Sequence, residues 1–175
     1  MGIATATHLL SPKGSQTMSE KQRIHLLQST PFFGAINNNS ISLLLEQSQM
    51  HEVAAGDYFF QQGDTGNSLF LLEFGDAVIF KTYDAREFIL RKVSDGDCFG
   101  EMALIDLAPR SASVRAETDC TAIEIPSSAL HSLYQQDHEQ FLIIQMNISR
   151  EVSRRLRSAD ERWFRAQVAN IPITY

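Results

Sequence analysis

Apolar positions change their spacing twice along the chain. Over residues 19–49 they come in clusters, Ile24, Leu26 and Leu27, then Ile41, Leu43, Leu44 and Leu45, which suit amphipathic helices. Pro31 and the run Asn37-Asn38-Asn39-Ser40 break this stretch into two helices, with Ser40 the predicted N-cap of the second. From about 50 to 126 the apolar runs become short and β-prone: Tyr58-Phe59-Phe60, Leu69-Phe70-Leu71-Leu72, Ala77-Val78-Ile79-Phe80, Phe88-Ile89-Leu90, Val114 and Ala122-Ile123-Glu124-Ile125. Six of the nine glycines lie between Gly56 and Gly100, so turns are concentrated there, at Gly56-Asp57, Gly63-Asp64, Gly75-Asp76 and Asp95-Gly96-Asp97. Turns recurring every 10–20 residues or so predict an antiparallel roll or barrel rather than βαβ units. Past Pro126 the helical period returns. Ser127-Ser128 can cap a short helix, and a longer one is predicted from about 139 to 168. Its stripe of Ile148, Val152, Leu156, Ala159, Trp163 and Ala166 steps by threes and fours, as in a coiled coil. The stripe serves either as a homodimer seam or as packing against the protein's own roll.

The predicted fold class is therefore mainly β with flanking α. It is an antiparallel β-roll, jelly-roll-like and barrel-shaped, with N-terminal helices and a long C-terminal helix. Residues 1–18 read as a tail, with Met18 an alternative start. A single domain is expected over 19–168, with the roll at about 50–126 and the C-terminal helices at about 127–168, and 169–175 form a second tail. A chain of 175 residues with 43% hydrophobic content can bury one substantial core.

Charge and cysteine content narrow the function. A net charge of -6 disfavours a general nucleic-acid coat. The two cysteines, Cys98 and Cys120, are too few for a disulfide framework. They are expected reduced in a core, as suits a cytoplasmic protein. No apolar run of about 18 residues is present to span a membrane. No signal-peptide apolar region opens the chain, and Ala6 stands where an N-myristoylation pattern wants Ser or Thr.

The chemistry is concentrated in Phe99-Gly100-Glu101-Met102-Ala103-Leu104-Ile105 and Pro109-Arg110-Ser111-Ala112-Ser113-Val114. Gly100 follows a strand and opens a short helical turn, where first-turn N–H groups lack intrahelical partners and face whatever lies in front. Arg110, nine residues after Glu101, carries a planar fork suited to phosphate oxygens. A carboxylate in an anion cradle repels phosphate but accepts from a hydroxyl. A ligand bearing both a phosphate and a sugar hydroxyl accounts for Gly100, Glu101 and Arg110 together. The alternative is a plain Glu101–Arg110 ion pair across a turn.

This segment resembles the phosphate-binding cassette of the cyclic-nucleotide-binding domain family, of the catabolite-activator and protein kinase A regulatory-subunit type. The resemblance runs over about 24–160 and takes in Pro31-Phe32-Phe33, Gly63-Asp64-Thr65-Gly66, Leu69-Phe70-Leu71-Leu72, Gly75 and Arg154-Arg155-Leu156. It implies that Arg110 pairs with the exocyclic phosphate oxygens and that Glu101 accepts from the ribose 2′-hydroxyl. It also implies that the N–H groups of Ala103 and Ser111 bond the phosphate. Gly100, Met102 and Ala112 complete the cassette. Val93 is a candidate contact to sugar or base, or else plain core. Lining up Arg154-Arg155-Leu156 places Ala159 and Asp160 where the catabolite activator has a Thr-Ser pair on adenine, a departure that removes the Thr hydroxyl. Asp160 can accept from either base, and Arg155 lies one turn before Ala159. Ser111 does not separate the bases, so cyclic AMP is expected over cyclic GMP on family frequency alone.

Only about ten residues follow Arg165, Pro172 among them, so no DNA-reading helix-turn-helix is expected, nor direct DNA binding. Six of the fifteen basic residues, Arg150, Arg154, Arg155, Arg157, Arg162 and Arg165, crowd the last helix, either as a docking face for a partner protein or as a solvated face balanced by Glu151, Asp160 and Glu161. The expected function is non-catalytic: a sensor that signals through its C-terminal helix and needs no cofactor or metal. Competing readings are a ligand-free interaction module of the same fold, a truncated transcription regulator, and a metal-dependent barrel enzyme. Against the last, the histidines His8, His25, His51, His131 and His138 form no His-x-His pair.

Overall fold

The computed structural model describes residues 18–169. The tails expected at 1–18 and 169–175, and His8 and Pro172 with them, fall outside that range except for Met18 and the backbone of Ala169. Two helices come first, α1 (Glu20–Ser29) and α2 (Asn38–Glu46). Strands β1 (Gln49–Val53), β2 (Tyr58–Phe60), β3 (Ser68–Phe74), β4 (Ala77–Tyr83), β5 (Arg86–Val93) and β6 (Cys98–Phe99) follow. A single helical turn, α3 (Met102–Ile105), separates these from β7 (Ser113–Ala116) and β8 (Cys120–Pro126). The described chain closes with α4 (Ser127–Gln136) and α5 (His138–Ala169).

All pairing is antiparallel, in one sheet ordered β1-β8-β3-β6 and another ordered β2-β7-β4-β5. The expected antiparallel roll is thus formed by two facing sheets, and they do not close into a continuous barrel among the described residues. Strand alternation divides the apolar residues between two cores. Leu69 and Leu71 of β3 and Ile123 and Ile125 of β8 face the helices and pack with Leu27, Phe32, Phe33, Ile41, Leu44, Leu133 and Ile144. Phe70 and Leu72, with Phe99, Val114 and Ala122, fill the space between the sheets.

Several boundaries differ from expectation for physical reasons. The N-cap of α2 is Asn37, whose side-chain oxygen accepts from the Ser40 N–H at 2.8 Å, so Ser40 lies buried inside the helix. Ser127 is the first residue of α4, and no side chain caps that helix. β1 was not anticipated because Gln49-Met50-His51-Glu52-Val53 has little apolar content, as suits the edge strand of a sheet. On α5 the seam residues Ile148 and Val152 are taken up by the protein's own helix-side core. Leu156 and Ala159 are exposed, and Trp163 is 67% exposed with Phe164 and Val168 open beside it.

Both cysteines are free and buried. Burial, with Glu101 adding to it, pushes the Cys98 thiol up to about 12. The folded form thus holds the proton that the unfolded chain gives up, and this contribution to stability is lost as pH rises above the ordinary thiol range. Iodoacetamide at about pH 8 should leave Cys98 unmodified in the folded protein and label it after unfolding. Peptide mapping of the alkylated protein checks this.

Candidate functional site

A cleft of about 650 Å³ opens between the second sheet, α3 and the middle of α5. Gly100, Glu101, Met102, Ala103, Arg110, Ser111 and Ala112 all line it, so the structure brings the whole predicted cassette to one place. Arg155 and Ala159 reach it from α5. Two predicted residues do not. Val93, 2% exposed, is part of the core between the sheets, opposite Ala77. Asp160 is exposed on α5 outside the lining, because one step along a helix turns a side chain by about 100°.

Arg110 is 6% exposed and held at the Nη1–Nη2 end of its fork. Its Nη1 donates to the carbonyl oxygens of Ser68 at 2.7 Å and Gly100 at 2.8 Å, and its Nη2 donates to Ser68 Oγ at 2.9 Å. Its Cζ lies 4.1 Å from the centroid of the Phe60 ring, a cation–π contact. Burial pulls its pKa down from the ordinary arginine value, while Glu124, Asp64 and Glu101 act the other way. The guanidinium stays charged regardless. Three of its five donors are thereby engaged. Nε–H and one Nη2–H remain, on one edge of the fork, which is the arrangement two oxygens of one phosphate can take.

Two glycines make this placement possible. The 63–66 loop bonds to the Arg110 backbone, with Gly63 N–H donating to its carbonyl at 2.9 Å and its own N–H donating to Asp64 at 2.8 Å. That brings Gly66 so close that a Cβ there would sit 2.6 Å from Arg110 Cζ and nearer still to Nε. Gly100 has φ +81°, and a Cβ there would meet Arg110 Nη1 at 2.7 Å. Sequence reading noted the 63–66 motif as a turn and missed that it makes room for the guanidinium.

Glu101 does not pair with Arg110. It is 4% exposed, at the head of α3, and accepts a charged hydrogen bond from Arg155 Nη1 on α5. Arg155 also donates from Nε to Glu151 at 3.1 Å, and its Cζ lies 5.5 Å from the Phe32 ring centroid. Arg91 donates to the Cys98 carbonyl at 2.9 Å. Burial and the neighbouring Arg155 depress its pKa. With Arg162, four guanidinium groups and one carboxylate line the cleft, a cationic site in a chain of net charge -6. Such local focusing draws in anions whatever the overall charge. The N–H of Ala103, in the first turn of α3, has no helix carbonyl four residues back to bond. Ser111 is exposed, its Oγ 3.4 Å from Met102 Sδ. Among the described residues no helix is long and apolar enough to cross a membrane.

An open roll presenting a buried arginine fork and a carboxylate under a long helix defines a ligand-binding β-roll domain. The chain belongs to the cyclic nucleotide-binding domain family, whose model matches residues 50–137. It is 29% identical over 139 residues to the cyclic AMP receptor protein of Thermus thermophilus, covering 77% of this chain and 61% of that protein. It is 31% identical over 103 residues to a cAMP-dependent protein kinase regulatory subunit of Mycosarcoma maydis, covering 58% of this chain and 20% of that one. The crystal structure of the Thermus thermophilus catabolite activator protein superposes with a TM-score of 0.70 at 28% identity, covering 79% of this chain and 63% of that chain. The chain spans less than two thirds of the length of each of these relatives.

Proposed function

We propose that the protein is a non-catalytic cyclic-nucleotide sensor that binds cyclic AMP in preference to cyclic GMP and signals through α5. One observation carries the reading: the carboxylate expected to meet the ribose 2′-hydroxyl is the one α5 holds through Arg155. A ligand hydroxyl at Glu101 must share or displace that bond. Occupancy and the position of α5 are then two faces of one equilibrium. Arg110 takes the exocyclic phosphate oxygens on its open edge, with the N–H groups of Ala103 and Ser111 beside it. Ile89 and Leu90 of β5 and Ala159 of α5 offer apolar surface to the base. The preference for cyclic AMP rests on the relatives, which are named for it. Leu156, Trp163, Phe164 and Val168, all exposed on α5, suit an outlet to a second copy or another protein.

Thermal unfolding with each nucleotide tests the ligand. Cyclic AMP at 100 times its Kd should add about 2.7 kcal/mol, or roughly 5–10 °C for a domain of this size. No shift with either nucleotide at millimolar concentration would end the reading. Arg155→Ala leaves Glu101 buried without its partner and should cost the unliganded protein about 2 kcal/mol. It should also make hydrogen exchange along α5 the same with and without ligand, whereas wild-type α5 should change. Equal protection in both wild-type states would remove α5 from the signalling path.

A further inference from the structure

Behind Arg110 lies a second polar group that the cleft does not contain. Ser68, 2% exposed at the start of β3, accepts from Arg110 Nη2 at 2.9 Å and donates to Glu124 Oε1 of β8 at 2.5 Å. Glu124 sits diagonally across the β3–β8 ladder, where Phe70 is its direct partner. It shares the inward face with Ala122, whereas Ile123 and Ile125 face the helices. The other carboxylate oxygen lies 2.6 Å from His51 Nε2 on β1, at ion-pair distance though without the alignment of a hydrogen bond. Glu124 keeps a quarter of its side chain exposed, and its bond to Ser68 leads on to the anion-binding fork.

A hydroxyl has one proton to give. With Glu124 acceptor-only while ionised, that proton goes to the carboxylate, so the Ser68 lone pairs turn toward Arg110. The Ser68 carbonyl and hydroxyl then take one N–H each from Nη1 and Nη2, which sets the plane and rotation of the guanidinium. We propose that Ser68 and Glu124 are positioning residues for Arg110: Glu124, acting through the Ser68 hydroxyl, fixes the fork so that its Nε–Nη2 edge faces the phosphate. The inference rests on the reading of Arg110 as the anion-binding group. It adds two residues from outside the cassette, neither of which lines the cleft.

The test uses the full chain in two arms. In the ligand-free protein labelled with 15N-arginine, Arg110 signals are identified by their loss in Arg110→Lys. Wild type, Ser68→Thr and Glu124→Gln, which keep a hydroxyl and an acceptor, should show separate Nη1 and Nη2 resonances, because hydrogen bonds stop rotation about the Cζ–N bonds. Ser68→Ala and Glu124→Ala, which leave Nη1 on its two carbonyls but release or loosen Nη2, should shift and broaden the Nη2 resonance. In the second arm, titration with cyclic AMP should weaken at least about tenfold in the two alanine variants. Those variants should also lose discrimination between the two diastereomeric phosphorothioates of cyclic AMP, which the wild type, Thr and Gln proteins keep. Ser68→Cys, close in size and a poor acceptor, replaces Ser68→Ala if that variant does not fold, and the same losses are expected of it. An Nη2 signal in the alanine variants unchanged from wild type would overturn the proposal, as would equal weakening of both diastereomers with discrimination intact. Failure of wild type to bind cyclic AMP, with the Nη signals behaving as expected, would remove the cyclic-nucleotide reading and leave Ser68 and Glu124 positioning Arg110.

Discussion

Arg110→Ala should weaken cyclic-nucleotide binding by roughly 30-fold to several thousand-fold, the range of about 2–5 kcal/mol for removing one partner of a desolvated charge pair. Calorimetric titration of folded wild type and variant measures it. The loss should fall on cyclic AMP and cyclic GMP alike, because the group proposed to meet the fork is the phosphate, which the two share. Arg110→Lys should recover little. An ammonium is a point charge without a planar edge, and it cannot at once reach the carbonyls of Ser68 and Gly100 and face the ligand. Arg110→Ala also leaves those carbonyls and the Phe60 ring without their cation, so its melting temperature should drop even without ligand. Unchanged affinity in Arg110→Ala would refute the assignment of the phosphate site.

Gly66→Ala should separate binding from stability. The added methyl would overlap Arg110 Cζ and Nε, which belong to a side chain rather than to backbone. No positive φ is involved at this position, so backbone strain adds nothing. Displacing the guanidinium gives up its bonds to Ser68 and Gly100, so the fold should lose about 1–3 kcal/mol. Binding requires the guanidinium where it now lies, so affinity should fall by about tenfold or more, a misplaced charge-assisted contact being worth about 1.5–3 kcal/mol. Titration and thermal unfolding of one preparation decide the matter. A large melting shift with intact affinity would mean that Gly66 shapes the roll rather than the site.

The cassette was legible in the sequence because its residues are contiguous and chemically unusual together: a glycine, an acid at the head of a turn, and an arginine nine residues on. The strands of the roll were legible wherever a short apolar run met a Gly-Asp turn. β1 escaped because an edge strand needs few apolar residues. The partner of Glu101 was hidden for another reason: Arg155 lies 54 residues away, and only packing of α5 joins them. Val93 and Asp160 could not be placed from the sequence, because facing the cleft or missing it depends on one strand pairing or one step of helix. Ile148 and Val152 show that one helical stripe can have two uses, its first half closing the core and its second half left open. Glu124 did leave a signal. In Ala122-Ile123-Glu124-Ile125 the isoleucines alternate toward one face, so the acid must point toward the other, into the roll, where it needs company.

The contact between Arg155 and Glu101 fixes a point on a helix whose remaining length stands clear of the roll. From Arg155 to Ala169 run about 14 residues, close to 21 Å of helix. Pivoting as a rigid rod where Ile148 anchors it in the core, about 10 Å before Arg155, the helix would turn a shift of about 1 Å at Arg155 into about 2 Å at Trp163 and about 3 Å at Val168. Geometry alone supplies this gain, and it costs the roll no rearrangement of its own.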